Sequence, residues 1–468
     1  MRATDKTTRV PTLSWSKRSS ERAIHSGWET RLVEVDKGLV TNWARTQSCR
    51  PRQFTFPSTI EELQAAIREA SDAGLGIRVI GGGHSWSDAA MTDEWLISLD
   101  GLNRVRHVDK AGGTVEVEAG IRLRDLNRIL EGHGLALSNL GSVSEQSIAG
   151  ATSTGTHGSH ARRPVLAGMI RSLCLVTAQG ELLTIDRQRD EELFRAVGVG
   201  LGAFGVIATC TLDVVPAFNL EEAVHTMRFE EACENMLAIV QGSEFTKFWW
   251  LPHTDRVQVF TYTPTSKPPN ESRLGAWFDR VAVNQVVLPT MLTAGSLWPQ
   301  VIPSINKLVA TTYLQRPNVV KRSHRAFNVA MPARHLEIEY ALHAEEAPDA
   351  LRDLRACIEE HQLHVNFVQE IRFASGDGFF LSPASGRDTC FIGAYAAGSI
   401  QERQYLTEVE RRMVAREGRP HWGKGFTVEA NYLSSVYPHF EDFISARQTL
   451  DPDGRFTSPF LRRVLGID

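Results

Sequence analysis

Two glycine-rich stretches constrain this chain more than any other feature of its sequence. The first, RVIGGGHS at residues 78–85, places three consecutive glycines directly after a β-branched run that predicts a strand. The second, GSVSEQSIAGATSTGTHGSH at residues 141–160, combines glycines with many hydroxyl side chains. Glycines after a strand let backbone N–H groups close on a phosphate with no Cβ in the way. Because a segment of the second kind can follow a large polar ligand along its main chain, the two stretches predict a site for a large phosphorylated ligand.

Each stretch also has a plainer interpretation. A run such as GGGHS is typical of surface turns, and residues 141–160 have the composition of a flexible linker. Ile148, Ala149 and Ala151, together with strand patterns on either side, argue against the linker.

The pattern on both sides of the glycine stretches is that of a mixed α+β fold. Ser58 comes before an apolar stripe and predicts a capped helix, and Leu123–Gly132 predicts a second helix that ends at glycine. Pro216 marks a domain boundary. Strands are predicted at Ile77–Ile80, Leu96–Leu99, Thr114–Ala119, Ser172–Thr177, Leu182–Ile185 and Val206–Val215.

The segment Gly200–Gly205 satisfies the G-x-G-x-x-G pattern of dinucleotide-binding folds. That fingerprint requires a strand before the glycines and a helix after them, so that the pyrophosphate meets a helix N-terminus. Here a helical stretch comes first, and the β-branched run Val206–Thr209 follows. The reversed order argues against Rossmann-type binding of NAD.

Two strand patterns in the C-terminal half place polar side chains on one face. In Arg334–His343 polar residues alternate with apolar ones, so His335 and two glutamates share a face. In a strand predicted at His364–Phe373, Glu370 and Arg372 stand two apart and share a face as well. For Glu370 and Arg372 the residue types alone favour a solvated face with a weak ion pair.

Composition narrows the classes of function. The chain has 51 basic and 55 acidic residues and a net charge of −4, so it is not expected to bind nucleic acid as a whole. Six cysteines without a Cys-x-x-Cys pair indicate a reducing compartment, and a cytoplasmic location is expected. His361 and His364 stand three apart, but no second pair of ligands matches them, so no metal site is predicted.

Two segments lie outside this organisation. Residues 1–45 are predicted to form a polar N-terminal arm. Val281–Asn306 is uncharged but is interrupted by Pro289, Pro299 and Pro303, whereas a membrane-spanning helix needs about 20 predominantly apolar residues. A buried or surface-docking segment is predicted, with membrane association as the secondary interpretation.

Four blocks of sequence that follow one another in a fixed order identify a protein family when they are taken together. They are GGGHSWSDAAMTDEWLISLDGLNRV (81–105), GSVSEQSIAGATSTGTHGSH (141–160), GLGAFGVI (200–207) and RPHWGK (419–424). Together they resemble the FAD-dependent aldonolactone oxidases and dehydrogenases and the alditol oxidases of the vanillyl-alcohol oxidase superfamily, among them the gulonolactone, galactonolactone and arabinonolactone oxidases. The resemblance runs from about residue 45 to the C-terminus.

The resemblance implies a fold and a cofactor site. A FAD-binding domain of two α/β subdomains is expected at residues 46–216. A cap domain with a large antiparallel sheet flanked by helices is expected at 217–420, and residues 421–468 are expected to return to the flavin. His84 falls where covalent members of the family attach the flavin 8α-methyl group. The residues expected to hold FAD are Gly81, Gly82, Gly83, His84, Ser85, Gly141, Ser142, Ser147, Gly150, Thr154, His157, Gly158, Ile207 and His421.

The same resemblance implies oxidation of an alcohol carbon by hydride transfer to flavin N5. A Glu-x-Arg strand lines the family's substrate site, which assigns Glu370 to orienting the substrate and Arg372 to polarising the reacting oxygen. Lys424 is expected to offset charge at the flavin N1–C2=O edge. The expected partners are a small sugar-1,4-lactone or polyol and an electron acceptor, either O₂ or a protein or quinone. The alternatives are an alditol or other carbohydrate oxidase and, from another class, a flavin-binding module without turnover.

Overall fold

The computed structural model describes residues 34–272, 287–312, 318–328, 333–398 and 401–467. The α-helices in the described residues of the N-terminal part are α1 (Ile60–Asp72), α2 (Leu123–Gly132), α3 (Ile148–Ser153) and α4 (Glu191–Val197). The strands of this part are β1 (Glu34–Asp36), β2 (Leu39–Thr41), β3 (Ser48–Cys49), β4 (Gln53–Thr55), β5 (Ile77–Ile80), β6 (Trp95–Ser98), β7 (Val105–Asp109), β8 (Thr114–Glu118), β9 (Leu135–Ala136), β10 (Ile170–Val176), β11 (Leu182–Asp186), β12 (Val206–Asp213) and β13 (Val215–Pro216).

Two sheets organise this part of the chain. A parallel sheet has the strand order β4-β6-β5, and an antiparallel sheet has the order β11-β10-β12-β8-β7. The helix α2 has the predicted bounds, and the predicted strands are present with small shifts at their ends. The predicted cap of α1 is wrong by one residue: Thr59 Oγ1 accepts the N–H of Glu62 at 3.1 Å, while Ser58 donates to the Glu62 carboxylate. The N-terminal part is therefore built from two α/β subdomains, as expected.

The C-terminal half forms a second layer around one large antiparallel sheet. Its strands are β14 (Asn219–Arg228), β15 (Phe245–Trp250), β16 (Arg256–Thr265), β17 (Val319–Arg322), β18 (Leu336–His343), β19 (Gln369–Ala374), β20 (Thr389–Ala396) and β21 (Arg419–Pro420). They pair in the order β17-β14-β16-β15-β19-β20-β18-β21. The helices are α5 (Phe229–Gly242), α6 (Leu288–Leu297), α7 (Ile302–Thr312), α8 (Ser323–Phe327), α9 (Ala347–Glu360), α10 (Glu402–Val414), α11 (Ala430–Val436), α12 (Phe440–Leu450) and α13 (Pro459–Leu465).

The alternation of side chains in β18 and β19 separates the two faces of the large sheet. Ile338, Tyr340 and Ile371 point into a hydrophobic core that the sheet shares with α5, α9 and α10. The polar residues between them point to the opposite face, towards the N-terminal domain. The shared polar face predicted for β18 is confirmed, and this face forms one wall of the site described below.

Strand β19 is shorter than predicted because distant side chains form hydrogen bonds with the backbone of the residues that precede it. It begins at Gln369 and not at His364. The backbone N–H of His364 donates to Gln401 at 3.0 Å, and that of Val365 donates to His253 at 3.1 Å. These N–H groups are therefore not available to a neighbouring strand.

The C-terminal helices return to the first domain. Phe443, Phe456 and Leu461 belong to the same hydrophobic core as the sheets of the N-terminal part. The backbone N–H of Ile77 donates to the carbonyl of Arg455 at 2.7 Å, which ties the strand before the first glycine stretch to the chain's end.

The uncharged segment Val281–Asn306 contains α6 and the beginning of α7. Leu297 is 63% exposed and Trp298 is 60% exposed. Residues 281–286 of the segment lie outside the described residues. In the described parts of the chain, no helix has both the length and the apolar character that crossing a membrane requires. Residues 1–33 of the predicted arm also lie outside the described residues, whereas 34–45 contribute β1 and β2 to a three-stranded sheet with β3.

Candidate active site

Two cavities adjoin each other. The first lies within the N-terminal part of the chain, and the second lies between that part and the large sheet. The first has about 1010 Å³ of empty space and the second about 540 Å³. Both are lined by His84, Ser85 and Gln146, so the two cavities meet at the end of the first glycine stretch. The predicted residues in the first cavity are Gly81, Gly82, Gly83, His84, Ser85, Ser147, Gly150, Thr154 and Ile207. Those in the second are His84, Ser85, Gly141, Ser142, His157, Glu370, Arg372, His421 and Lys424.

Gly158 is the one predicted site residue that lines neither cavity. Its carbonyl lies 3.0 Å from Nδ1 of His157. A Cβ at this position would come within 1.9 Å of the Asn139 side chain, so the glycine permits a close approach behind the cavity wall.

The three glycines of the first stretch hold two loops together. A Cβ on Gly81 would lie 2.1 Å from Oγ of Ser147, and one on Gly82 would lie 2.5 Å from the carbonyl oxygen of Glu145. Gly83 has φ of +61°, in the left-handed region that favours glycine. The two glycine-rich stretches therefore form one continuous wall of the first cavity.

The second glycine-rich stretch contains a short helix, α3, where the sequence predicted a loop. Ser147 is its N-cap, and its Oγ accepts the N–H of Gly150 at 3.2 Å. Thr154 closes the helix and donates to the Gly150 carbonyl at 2.9 Å. Ile148 and Ala151 are buried in the hydrophobic core, which fixes the loop to the domain. The apolar residues that argued against a linker thus anchor this helix.

Glu370 and Arg372 form a buried ion pair on β19. Nη2 of Arg372 lies 2.6 Å from Oε2 of Glu370, and it also donates to the hydroxyl of Ser142 in the second glycine-rich stretch. Trp249 Nε1 donates to the other carboxylate oxygen at 2.7 Å, and the Tyr395 hydroxyl donates to Oε2 at 3.2 Å. The interpretation of a solvated polar face is therefore wrong for this pair.

The protonation states of these groups follow from their partners. Burial acts to raise the pKa of Glu370, but the charges of Arg372 and Lys247 outweigh it and hold the pKa below its usual range. Burial and the nearby carboxylates raise the pKa of Tyr395, so its hydroxyl stays protonated and donates. Glu370 therefore faces the cavity as a carboxylate.

Lys424 is held against a second buried glutamate. Its ammonium group forms an ion pair with Glu337 of β18 and lies 4.3 Å from the centre of the Trp86 ring. Burial acts to raise the pKa of Glu337, but the charge of Lys424 outweighs it and the net pKa is lowered. The pair places a fixed cation and its counter-charge in the wall of the second cavity.

A third buried carboxylate, Glu339, pairs with His157. Nε2 of His157 lies 3.1 Å from Oε1 of Glu339, and the ring stacks on Phe391 at 3.5 Å between centroids. Burial acts to raise the pKa of Glu339, but the charge of His157 and its hydrogen bond hold it well below the usual range. The His421 ring stays neutral, because burial lowers its pKa to about 4 and its Nδ1 accepts the N–H of Gly423 at 3.0 Å.

The ligand atoms of His157, Glu339 and His421 lie within 4.8 Å of one another, although the sequence predicted no metal site. Because the Glu339 carboxylate already binds the His157 ring, we describe this group as a hydrogen-bonded charge cluster. Sequence reasoning assigned no role to Glu339 or Glu337. The signal was present in the alternation of residues 334–343, which places both glutamates on one face with His335.

The Gly200–Gly205 turn has the order of elements that the sequence predicted. Helix α4 precedes it and β12 follows it, which is the reverse of the dinucleotide fingerprint. The carbonyls of Leu201 and Gly202 accept hydrogen bonds from the buried Arg78 guanidinium at 2.9 and 3.3 Å. The turn therefore wraps a buried arginine beside the first cavity.

Two family models match the chain. The model described as FAD binding domain matches residues 51–186, and the one described as D-arabinono-1,4-lactone oxidase matches residues 210–464. The L-gulonolactone oxidase of Scyliorhinus torazame is 34% identical over 433 residues, which cover 90% of this chain and 97% of that protein. The chain belongs to the D-arabinono-1,4-lactone oxidase family.

One further relative supports the family assignment, and a solved structure shows the fold. The L-gulono-1,4-lactone dehydrogenase of Mycobacterium tuberculosis is 35% identical over 428 residues, covering 91% of this chain and 99% of that protein. A cholesterol oxidase from Brevibacterium sterolicum superposes with a TM-score of 0.78 over 92% of this chain and 97% of that one, at 17% identity, which shows the fold alone. This member of the lactone oxidase family is an FAD-linked oxidoreductase, as the resemblance implied.

The residues present fit FAD. The wall of the first cavity is glycine backbone with the hydroxyls of Ser153 and Thr154, as a pyrophosphate and its flanking groups require. Where the cavities meet, Nδ1 of His84 is buried and has no hydrogen-bond partner among the described residues. The second cavity, with its ordered charges, is suited to a ring system that accumulates negative charge on reduction.

Proposed function

We propose that this enzyme oxidises an alcohol carbon of a sugar-1,4-lactone and that O₂ reoxidises its flavin. The observation that carries the proposal is the buried Glu370–Arg372 pair, which lies in the cavity that continues from the glycine-lined cleft. Relatives named as L-gulonolactone oxidase and D-arabinono-1,4-lactone oxidase support the substrate class and the acceptor. A small cavity lined by buried carboxylates, an arginine and a lysine suits a small sugar derivative rich in hydroxyls.

FAD, when bound, supplies the acceptor for the hydride that leaves the substrate carbon. The Glu370 carboxylate accepts a hydrogen bond from a substrate hydroxyl and orients the carbon. Arg372 polarises the reacting oxygen, and Ser142 and Glu370 fix its guanidinium in place. Lys424 offsets negative charge that develops in the second cavity, where the exclusion of water strengthens its effect.

The proposal extends to the attachment of the cofactor through His84. Its Nδ1 has no partner within the described part of the chain and lies at the junction of the cavities, which is the position a group bonded to the flavin edge requires. Acid denaturation followed by a denaturing gel should leave flavin fluorescence on the protein and remove it in His84→Ala. Flavin found only in the supernatant of the wild-type protein contradicts the covalent bond and leaves the substrate assignment standing.

The activity is tested by anaerobic titration of the flavin. A panel of aldono-1,4-lactones should bleach the oxidised flavin spectrum, and admission of air should restore it with release of hydrogen peroxide. Matched alditols of the same carbon number serve as the comparison. Bleaching by alditols but not by lactones contradicts the proposed substrate class. Bleaching that air does not reverse, but a quinone or a protein acceptor does, contradicts the proposed role of O₂.

A further inference from the structure

A short segment before the FAD-binding domain clamps the loop that carries His84. The backbone N–H of Trp43 donates to the carbonyl of Gly83 at 2.9 Å. The side-chain amide of Asn42 donates to the carbonyl of Ser85 at 2.8 Å. The residues on both sides of His84 are therefore tied to the same two neighbours, Asn42 and Trp43.

The indole of Trp43 also fixes the plane of the His84 ring. The two rings are stacked, with centroids 4.5 Å apart and an interplanar angle of 18°. Trp86 meets the imidazole edge-on at 6.0 Å and 66°. Trp43 itself is braced edge-on by His335 at 5.7 Å. The Trp43 ring thus covers one face of the imidazole and fixes the plane in which the two ring nitrogens lie.

The imidazole held in this way has the properties of a nucleophile. Burial and the neighbouring charge of Lys424 lower the pKa of His84 to about 4, so the ring is neutral at physiological pH. Its Nδ1 is buried and has no hydrogen-bond partner among the described residues, at the point where both cavities meet. A nitrogen lone pair that is neutral, unshared and oriented is what bond formation to a carbon requires.

We propose that Trp43 is a positioning residue for covalent attachment of FAD, aligning the His84 ring with the 8α-carbon of the flavin. The inference rests on the proposed His84–FAD bond. In that step His84 forms a C–N bond to the 8α-carbon as one C–H bond of the methyl group breaks. The two electrons of the broken bond pass to the flavin, which also takes up that proton and the imidazole proton. O₂ then removes the two electrons and both protons as hydrogen peroxide.

The test measures attachment and not turnover. Full-length apoprotein from a riboflavin-starved host is mixed with FAD, and the flavin fluorescence that survives denaturation is followed with time. Trp43→Ala should bind FAD, seen as a shifted flavin spectrum, yet attach it about tenfold more slowly or worse, since small misplacements of reacting atoms cost about this much or more. Trp43→Phe keeps a ring on the imidazole and should attach FAD at close to the wild-type rate.

Controls separate the possible failures. Trp298→Ala removes the same side chain from an exposed site and should leave attachment unchanged. Attachment by Trp43→Ala at the wild-type rate overturns the role of Trp43 alone. If Trp43→Ala and Trp43→Phe lose FAD binding to the same extent and their melting temperatures fall equally, the positioning role of Trp43 is overturned in favour of a structural role. Absence of covalent flavin in the wild-type protein overturns the His84 bond and this inference together, while the bleaching experiment still tests the oxidation of lactones.

Discussion

The ammonium group of Lys424 lies against the carboxylate of Glu337, a side chain with no exposure to solvent. The two residues meet because Gly425, next to Lys424, donates its backbone N–H to the carbonyl of Glu337 at 2.9 Å. A buried counter-charge limits the positive potential that the lysine adds to the cavity. Substitution of Lys424 and substitution of Glu337 should therefore shift the reduction potential of the bound flavin in opposite directions.

Lys424→Met should slow flavin reduction at saturating substrate by about tenfold or more and lower the reduction potential. The ammonium acts most strongly on the state in which negative charge has developed, so kcat should fall more than substrate affinity. Stopped-flow reduction and a redox titration measure the two quantities. If residues 421–424 only packed against the rest of the fold, the variant would have a lower melting temperature, and its limiting rate of flavin reduction per folded molecule would stay unchanged.

Glu337→Gln should raise the reduction potential and tighten the binding of sulfite, because Lys424 loses its counter-charge. The variant should also be less stable, since breaking a buried ion pair costs about 3–5 kcal/mol. The double variant with Lys424→Met should recover part of that stability. Urea unfolding of both single variants and the double variant gives the coupling energy. A potential that falls in Glu337→Gln contradicts the assignment.

Glu370→Gln should reduce kcat/KM by about 10²-fold or more while the FAD spectrum is retained, because the amide presents only one acceptor and carries no charge. Trp249→Phe removes one hydrogen bond from the same carboxylate and should have a smaller effect. Glu230→Gln breaks an exposed pair with Arg352 and serves as the matched control. Equal kinetics in Glu370→Gln and Glu230→Gln would remove Glu370 from the substrate site.

Stability should decrease steeply as the pH falls from about 6.5 to about 4. Burial lowers the pKa values of His160 and His253 to about 4, so between these pH values the unfolded chain binds protons that the folded protein does not. Such groups contribute stability above pH 6.5 that is lost on acidification. Melting temperatures across this range measure the effect, and His160→Gln should make the slope shallower. An unchanged slope in that variant would show that His160 titrates normally.

Local periodicity was enough to predict much of the fold and one wall of the site. A strand alternates its side chains whatever its neighbours are, so the shared faces in β18 and β19 followed from the residue types alone. Whether such a face is wet or buried is decided by the domain that packs on it. For this reason the residues favoured a solvated pair at Glu370 and Arg372, where the structure has a buried one.

Contacts between distant segments could not be predicted from local pattern. Asn42 and Trp43 fall in a segment that was predicted to be a polar arm, and only the folded chain brings them to the His84 loop. The N-terminal end of β19 was misplaced for the same reason, since the side chains of His253 and Gln401 capture its N–H groups from far along the chain.

The pH dependence of FAD attachment should distinguish a buried His84 from an ordinary histidine. Bond formation requires the neutral ring, and with a pKa of about 4 the ring stays neutral from pH 5.5 to 8. The attachment rate should therefore change less than about twofold over this range. A histidine with an ordinary pKa of about 6.5 would lose about tenfold in rate between pH 8 and pH 5.5, because most of the imidazole would be protonated.

Trp43→Ala opens the His84 ring to solvent, so the attachment rate of this variant should be lower and should also fall on acidification. If the attachment rate were independent of pH in this variant and fell on acidification in the wild-type protein, burial would not be what keeps the His84 ring neutral.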